Sequence, residues 1–516
     1  MELPQIWKQV KIQKKYAIIS TFLFGILAHG PMMFNKFSKY DDIYYGFLGG
    51  ITFSSGRWML YVAEKLKNLL FLDSIYNVPT FNTVFSFFCL AAAACILIDL
   101  FEIKSAALCT LLSGIMVSIP VVTCMFGYMF TAQFFSLAIL MAVAGARLVL
   151  TQNRWYWILT GIILMTCSLG IYQAYIPLMV CVFLFGLIKQ FSEADSAEKQ
   201  KRAFIRIGII AFSCLGFLLL NTVILNFFLN LTGEKLSGYK GIGFATHMPL
   251  STYLSRAFFA VKEFFIPRKG SYYDVFPGRT RELYIFTHVP VLFFFAVLVF
   301  QTAKKSKLSA FIIFLMGLFI PIGVNFIFVM VDETFCYAMM VYGYVMYFVF
   351  AVWLWEKVSA DFRPSVRKIT AGVLTCVFSL IVIIFSRFDN VCYMRLEMTQ
   401  AQTTRFFTSL ITRMQDTDGY RADMKVAYIG SPRIRENDTT IPEIQQLNYI
   451  HVSPFYGFRQ SLSTEPWREF MELWNLFRAW ETDPAEFRNL PQVEKMPSYP
   501  DKGSIKVIND TLVVKF

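Results

Sequence analysis

Residues 283–301 read LYIFTHVPVLFFFAVLVFQ, a run without Asp, Glu, Lys or Arg. A helix needs about 20 mostly apolar residues to cross the hydrocarbon core of a bilayer, and this run has that length. Similar runs fall at approximately 16–34, 81–101, 105–125, 128–150, 156–173, 174–190, 204–231, 309–331, 336–356 and 369–387. Because a helix satisfies its own backbone in lipid, the pattern predicts a polytopic α-helical membrane protein with about 11 transmembrane helices.

The composition supports a membrane protein and excludes several other classes. The 516 residues are 56% hydrophobic and 16% charged, against about 25% charged residues in a soluble domain. The net charge of +13 is interpreted loop by loop as a sign of topology, and no nucleic acid partner is predicted. The 10 cysteines are scattered singly without a CxxC pair, so neither a disulfide framework nor structural zinc is expected.

The basic residues of the short loops predict the orientation. Lys and Arg concentrate in loops that stay in the cytoplasm. The basic positions are Lys8, Lys11, Lys14, Lys15, Lys104, Arg154, Lys199, Lys201, Arg202, Lys304, Lys305, Lys307, Arg363, Arg367 and Lys368. With the N-terminus in the cytoplasm, every short loop that contains one of these residues is cytoplasmic. Two loops, about 35–80 and 232–282, and the tail from about 389 then lie outside.

The expected domains are a transmembrane domain over 1–388 and a small extracytoplasmic α+β domain over 389–516. The tail is long enough to fold as a unit. Its pattern predicts a strand at Lys425–Ile429, a helix that opens near Thr464, and a hairpin that joins Ser504–Val507 to Leu512–Phe516.

The first external loop contains two candidate motifs. Asp41 and Asp42 occur in YDDIYYG, followed by Tyr44 and Tyr45, and SSGRW places Arg57 farther along. One of the two acids is a candidate general base, and the tyrosines are candidate sugar contacts. The alternative is a solvated helix end. Adjacent residues diverge on a helix or a strand, so both acids cannot reach one hydroxyl group.

From Arg57 the chain reads RWMLYVAEKLKNLLFLD, which predicts an amphipathic helix along the membrane surface. It could form one wall of a groove that holds a lipid substrate, or it could simply tether the loop. Amides and a histidine inside the apolar runs are expected to bond neighbouring helices. They are His29, Gln133, Asn221, Asn226 and Asn325.

The second external loop is unusually basic for a segment outside the cytoplasm. Its cations include Arg268, Lys269, Arg279 and Arg281. Arg and Lys pair with phosphate through charge-assisted hydrogen bonds. These four residues and Arg57 are therefore candidates for binding a phosphate, and attraction to anionic headgroups is the alternative.

Four segments together resemble a known family: YDDIYYG from Tyr40, SSGRW from Ser54, SLGIYQA from Ser168 and MPSYPDKGSIKV from Met496. They are similar to the bacterial and phage serotype-converting glucosyltransferases of the glucosyltransferase type II group. The resemblance implies a GT-C-like fold in the bacterial cytoplasmic (inner) membrane. It also implies a polyprenyl-phosphate-linked glucose donor and a surface polysaccharide acceptor such as O-antigen.

The resemblance also implies roles for particular residues. The family's first-loop acids correspond to Asp41 and Asp42, and its glycine–arginine step corresponds to Gly56 and Arg57. Tyr172 and Gln173, within SLGIYQA, are the further candidates for substrate binding. No cofactor and no metal ligand are predicted, and the sequence leaves the use of a divalent metal ion open.

The chemistry needs few protein groups. A sugar on a lipid phosphate already has a good leaving group, so one base for the acceptor hydroxyl and cations for the departing phosphate suffice. The sequence contains no Walker A, GxSxG or HExxH motif. The main alternative is a lipid-linked oligosaccharide flippase or transporter, for which paired broken half-helices would be typical. A third interpretation is a non-catalytic scaffold for polysaccharide assembly.

Overall fold

The computed structural model describes residues 10–37, 40–44, 53–237, 248–432 and 465–516. The chain divides into two compact units. The membrane unit comprises Met1–Asn35 and Leu48–Asn390, and the second unit comprises Lys36–Phe47 and Val391–Phe516. Residues 36–37 and 40–44, predicted to lie in the first loop of the transmembrane domain, group here with the tail. The predicted domain boundary near 388 remains a prediction.

The described residues are mostly helical. In chain order the helices are α1 (Ile12–Phe34), α2 (Tyr40–Tyr44), α3 (Trp58–Phe71), α4 (Pro79–Leu100), α5 (Ala106–Ser118), α6 (Pro120–Phe126), α7 (Met129–Thr151), α8 (Trp155–Ile171), α9 (Ile176–Ser192), α10 (Ala197–Thr232), α11 (Leu250–Phe265), α12 (Thr280–Ala303), α13 (Lys307–Leu318), α14 (Ile320–Val324), α15 (Phe326–Met330), α16 (Tyr344–Ser359), α17 (Pro364–Gln415), α18 (Glu465–Asn475), α19 (Ala485–Arg488) and α20 (Pro491–Glu494).

Seven of these helices are long and apolar enough to cross a bilayer: α1, α4, α7, α9 with the turn before it, α10, α12 and α17. The pair α5 and α6, bent by 41°, would make an eighth if it crosses as one span, and α8 and α13 are shorter apolar helices. These counts cover the described residues only. The helices indicate a membrane protein, and the predicted number of about 11 crossings exceeds the seven or eight found by length and composition.

Proline accounts for part of this difference in number. Pro120 separates α5 from α6, and Pro321 lies where the run 309–331 divides into α13, α14 and α15. Proline lacks the backbone N–H that an uninterrupted helix requires, so an apolar run can contain a break that its hydropathy does not reveal. The last apolar run before α17, at 336–356, makes a 3₁₀ turn at Ala338–Met340 and is α-helical only from Tyr344.

Close backbone approach holds the middle of the membrane unit together. A Cβ atom built on Gly145 of α7 would lie 2.7 Å from the carbonyl oxygen of Gly161 in α8, and one on Gly161 would lie 2.8 Å from that of Gly145. Small residues permit such contacts in lipid, where no hydrophobic effect drives helices together. The two glycines therefore fix how α7 and α8 pack.

Two short helices of the membrane unit are amphipathic. In α3, Trp58, Leu60 and Ala63 are buried, while Leu66 and Leu69 are exposed, so the predicted apolar stripe faces outward. In α11, the exposed residues Leu250, Leu254 and Phe258 recur every four positions, and Glu263 is buried on the other side. An apolar stripe left outside is typical of a helix at a membrane interface.

The second unit contains a four-stranded mixed sheet. Its strands are β1 (Lys425–Ile429), β2 (Trp480–Glu481), β3 (Ile505–Ile508) and β4 (Thr511–Lys515), in the order β2-β1-β4-β3. Strands β3 and β4 form an antiparallel hairpin, whereas β1 runs parallel to β4. The core under the sheet includes Phe407 and Leu410 of α17, Trp467 and Phe470 of α18, and Ile43 of α2.

Candidate functional site

The two candidate acids lie on α2 in the second unit, and their surroundings differ. Asp42 is 1% exposed, and Ile43 next to it joins the core of that unit. Asp41 remains partly exposed. Neighbouring residues on a helix point about 100° apart, which is why one is buried and the other is not. The side chain of Tyr44 and all of Tyr45 lie outside the described residues.

The segment SSGRW forms a tight turn in the membrane unit. Phe53–Ser55 makes one 3₁₀ turn, and Gly56 has φ of 76°, in the left-handed region that favours glycine. The side-chain nitrogen Nε2 of Gln173 donates hydrogen bonds to the carbonyl oxygens of Ser55, at 3.2 Å, and Gly56, at 3.1 Å. A Cβ atom on Gly56 would lie only 2.5 Å from this nitrogen. The turn and the amide therefore fit each other closely.

Arg57 follows this turn and lies on Tyr172. Its guanidinium carbon is 5.3 Å from the centre of the Tyr172 ring, within the range of a cation–π interaction. Tyr172 is 6% exposed and Arg57 is half-buried. The Nε atom of Arg57 is buried and has no hydrogen-bond partner among the described residues. Nor does the side chain form an ion pair with any residue in the described ranges.

Trp58, the residue after Arg57, is held by two contacts. Its indole Nε1 donates to Oδ1 of Asn221 at 2.9 Å, and the ring packs so closely on α8 that a Cβ on Gly170 would lie 2.4 Å from it. Asn221 thus bonds across helices, as expected for an amide inside an apolar run. Three of the predicted site residues, Arg57, Tyr172 and Gln173, meet here, and we call this group the arginine ledge.

The two predicted external loops meet beside the arginine ledge. The backbone N–H of Ser54 donates to Oε2 of Glu234 at 3.1 Å, and the N–H of Ser237 donates to the carbonyl of Ser54 at 2.8 Å. The second loop therefore begins in contact with the first. The glycines of this loop at 238, 241 and 243 lie outside the described residues.

Arg268, in the second loop, lies between two carboxylates. Its backbone N–H donates to Oε2 of Glu263 at 2.8 Å, its Nε is 3.7 Å from Oε1 of the same residue, and its Nη1 is 3.4 Å from Oε1 of Glu333. Burial raises the pKa of the Glu263 carboxyl, and the hydrogen bond from Arg268 opposes that rise. Much of the positive charge of Arg268 is therefore already balanced inside the loop.

The other cations of this loop differ in their availability. Arg281 donates from Nε to the carbonyl oxygen of Pro267 at 2.6 Å, and its charge, like that of Lys269, opposes the rise that burial causes in the pKa of the Asp274 carboxyl. The side chain of Arg279 is 84% exposed, with Glu282 at 3.8 Å, and Lys269 is exposed. Asp274 shapes this turn by accepting from the N–H groups of Gly270 and Phe276, and burial raises the pKa of its carboxyl.

Sequence analysis did not single out three acidic side chains, Glu263, Glu333 and Asp389. Asp389 in α17 is 0% exposed, and its carboxylate oxygens have no hydrogen-bond partner of ordinary geometry among the described residues, although Thr123 lies beside it. An ionisable residue buried among apolar helices suggests a functional role. The signal for Asp389 is its place directly after the last apolar run. Across the described ranges, no group of three or more His, Cys, Asp or Glu residues could hold a metal ion.

Comparison with known proteins agrees with the resemblance seen in the sequence. A family model described as "Glucosyl transferase GtrII" matches residues 30–350. No curated protein and no solved structure matches the chain. The matched range contains Asp41, Asp42, the arginine ledge and the basic loop, and it covers more than half of the chain. The prediction of the family is confirmed, and the chain belongs to the GtrII glucosyl transferase family.

Proposed function

We propose that the protein is a membrane enzyme that moves glucose from a polyprenyl-phosphate donor to a surface polysaccharide such as O-antigen. The family supports sugar transfer to a polysaccharide. The observation that carries the rest is the arginine ledge, where a half-buried guanidinium group lacks an ion pair with any described residue. A cation held in this way suits a phosphate, because phosphate supplies both the missing charge and the hydrogen-bond acceptors.

The donor phosphate would be held by Arg57 with help from the basic loop. Lys269 and Arg279 are exposed, and the hydrogen bond that Arg281 donates goes to a neutral carbonyl oxygen. Arg268 has the smallest expected share, because Glu263 and Glu333 already face it. These cations stabilise negative charge that develops on the leaving phosphate.

Within the arginine ledge, Tyr172 and Gln173 would border the sugar. The Tyr172 ring supports the guanidinium group of Arg57, and Gln173 holds the turn that carries it. Tyr44 and Tyr45 are proposed as further sugar contacts on the strength of the sequence motif. The substrate would therefore be positioned by aromatic and amide groups and oriented by the charge on its phosphate.

The transfer step is a direct displacement. Asp41 or Asp42 accepts the proton of an acceptor hydroxyl group, and the hydroxyl oxygen attacks the anomeric carbon. The bond from that carbon to the phosphate oxygen breaks, and the polyprenyl phosphate leaves with the electron pair. Asp41 is the favoured base, since it is partly exposed whereas Asp42 is 1% exposed. Asp42 would then orient Asp41 or a cation.

The proposed setting is the outer face of the bacterial cytoplasmic membrane, with the N-terminus in the cytoplasm and the tail outside. The bilayer would deliver the lipid donor to the site. The basic character of the short loops supports this orientation.

The function is tested by incubating the purified protein in detergent with polyprenyl-phosphate glucose and a polysaccharide acceptor. Polyprenyl phosphate should appear together with acceptor-bound glucose in equal amounts. Donors that carry other sugars in the same linkage serve as the specificity control. Movement of intact donor across a vesicle membrane without release of polyprenyl phosphate would instead support the flippase alternative.

A further inference from the structure

An apolar groove runs along the membrane unit between α12, α16 and α17. Its walls include Phe286, Pro290 and Phe294 of α12, Ala351 of α16, and Val373 and Val377 of α17. Its volume is about 140 Å³, close to that of apolar cavities that hold one benzene molecule. The groove therefore suits a hydrocarbon segment of about six carbons.

The polar atoms along the groove are already bonded within the protein. The hydroxyl of Thr287 is 2.6 Å from the carbonyl of Tyr284 and 2.8 Å from the hydroxyl of Tyr347. Nε1 of Trp355 donates to the hydroxyl of Thr370 at 3.0 Å. A polar guest would gain few new hydrogen bonds here, so the groove favours hydrocarbon over a sugar or water.

A cation lies at the end of α12 from which the groove begins, because Arg279 directly precedes Thr280. Leu283, Phe286, Pro290 and Phe294 follow one another at spacings of three, four and four residues, which places them along one helical stripe. Phe286 is seven positions after Arg279, or about 10 Å along the axis. Phe286 and Val373 are 55% and 51% exposed, so the groove is open on one side. An exposed arginine thus lies about two helical turns before the open apolar groove.

We propose that this groove holds one isoprene unit of the donor's polyprenyl chain, about 10 Å along the chain from a donor phosphate near Arg279. The inference rests on the proposed function, because it assumes that the donor is a polyprenyl phosphate. A branched C5 unit fits the volume, and Arg279 supplies a cation seven residues before Phe286. The groove then aligns the donor before the sugar is transferred.

The inference is tested by filling the groove with Ala351→Phe and, separately, Val377→Phe. Each variant should raise the KM for a long-chain donor at least about tenfold, since several buried CH₂ groups lose their contacts. The KM for a donor with a prenyl chain too short to reach the groove should stay at the parental value. Two glycines give matched controls, because a Cβ on Gly372 of α17 or Gly208 of α10 meets nothing within 4 Å. Gly372→Phe and Gly208→Phe should leave both KM values unchanged.

Several outcomes would overturn the inference. A long-chain KM that is unchanged in both filled variants, at matched amounts of inserted protein, would do so. An equal rise for short and long donors would show a general structural effect. Competition by a phospholipid as strong as that by polyprenyl phosphate would make bulk lipid the occupant. If the parental protein transferred no sugar at all, the proposed function would fail on its own. The role of the groove would then be decided by comparing the affinity for polyprenyl phosphate of the parental and Ala351→Phe proteins.

Discussion

Arg57 and Arg268 carry the same charge in two loops of the membrane unit, but their surroundings differ. Arg57 lies on the ring of Tyr172, with no ion pair among the described residues. Arg268 lies between Glu263 and Glu333. The number of basic residues in a loop therefore says little about anion binding. What matters is whether internal carboxylates already balance each charge.

The two candidate acids also differ in their surroundings. The largest expected effect on the transfer rate comes from changing them. Asp41→Asn should lower the transfer rate by about 10²–10⁴-fold, the usual contribution of a positioned base. Asp42→Asn should lower the transfer rate less, because Asp42 is 1% exposed. Asparagine keeps the size of the side chain but cannot accept the proton. Rates are compared in membranes that contain equal amounts of each protein. If both variants transfer glucose at the parental rate, the base lies elsewhere.

The turn before Arg57 gives the next effect. Gly56→Ala should reduce transfer by about tenfold, because φ of 76° is strained for alanine by about 1–2 kcal/mol and the new Cβ would displace Gln173. Gly233→Ala is the matched control, since Gly233 has φ of 71° and open space around it. Steady-state rates distinguish the two. Equal losses in both variants would mean that strain alone, and not displacement of Gln173, explains the result.

The smallest effect concerns stability. Arg268→Ala removes the half-exposed charge that faces the Glu263 carboxyl at 3.7 Å, while the backbone N–H of residue 268 still bonds that carboxyl, so the change should cost about 1 kcal/mol. The Tm in detergent should fall, while the donor KM changes little. Arg279→Ala removes an exposed charge with one weak ion pair and should leave the Tm unchanged. A large rise in donor KM for Arg268→Ala with an unchanged Tm would reverse the comparison of the two loops.

Local patterns in the sequence revealed the parts of the arginine ledge but not their assembly. Gly56 and Arg57 belong to one motif, and Tyr172 and Gln173 to another. Their meeting depends on Trp58 packing against Gly170 in α8, a tertiary contact that no periodicity encodes. Arg268 was found as a loop cation, but one of its partners, Glu333, lies 65 positions away. Charged residues can be identified in a sequence, whereas the carboxylates that balance them can be identified only from the fold.

The fold shows the same division. Hydropathy located the long helices, since an apolar run of about 20 residues usually forms a transmembrane helix. It did not predict that the run 309–331 would form α13, α14 and α15. Pro321 at the start of α14 accounts for the first break, whereas the second break, at Asn325, has no proline. The hairpin of β3 and β4 was predictable from its turn, where Asn509 and Asp510 have φ of 50° and 59°, a conformation that these residue types tolerate.

The central claim is that Arg57 receives the phosphate of the lipid donor, and equilibrium binding of polyprenyl phosphate to purified protein tests it most directly. The account predicts that Arg57→Ala weakens binding by about tenfold or more, the value of one charge-assisted hydrogen bond. Arg57→Lys should recover part of the affinity, because lysine keeps the charge without the planar fork. Arg268→Ala should bind like the parental protein. Parental affinity in Arg57→Ala, with a loss in Arg268→Ala instead, would contradict the claim.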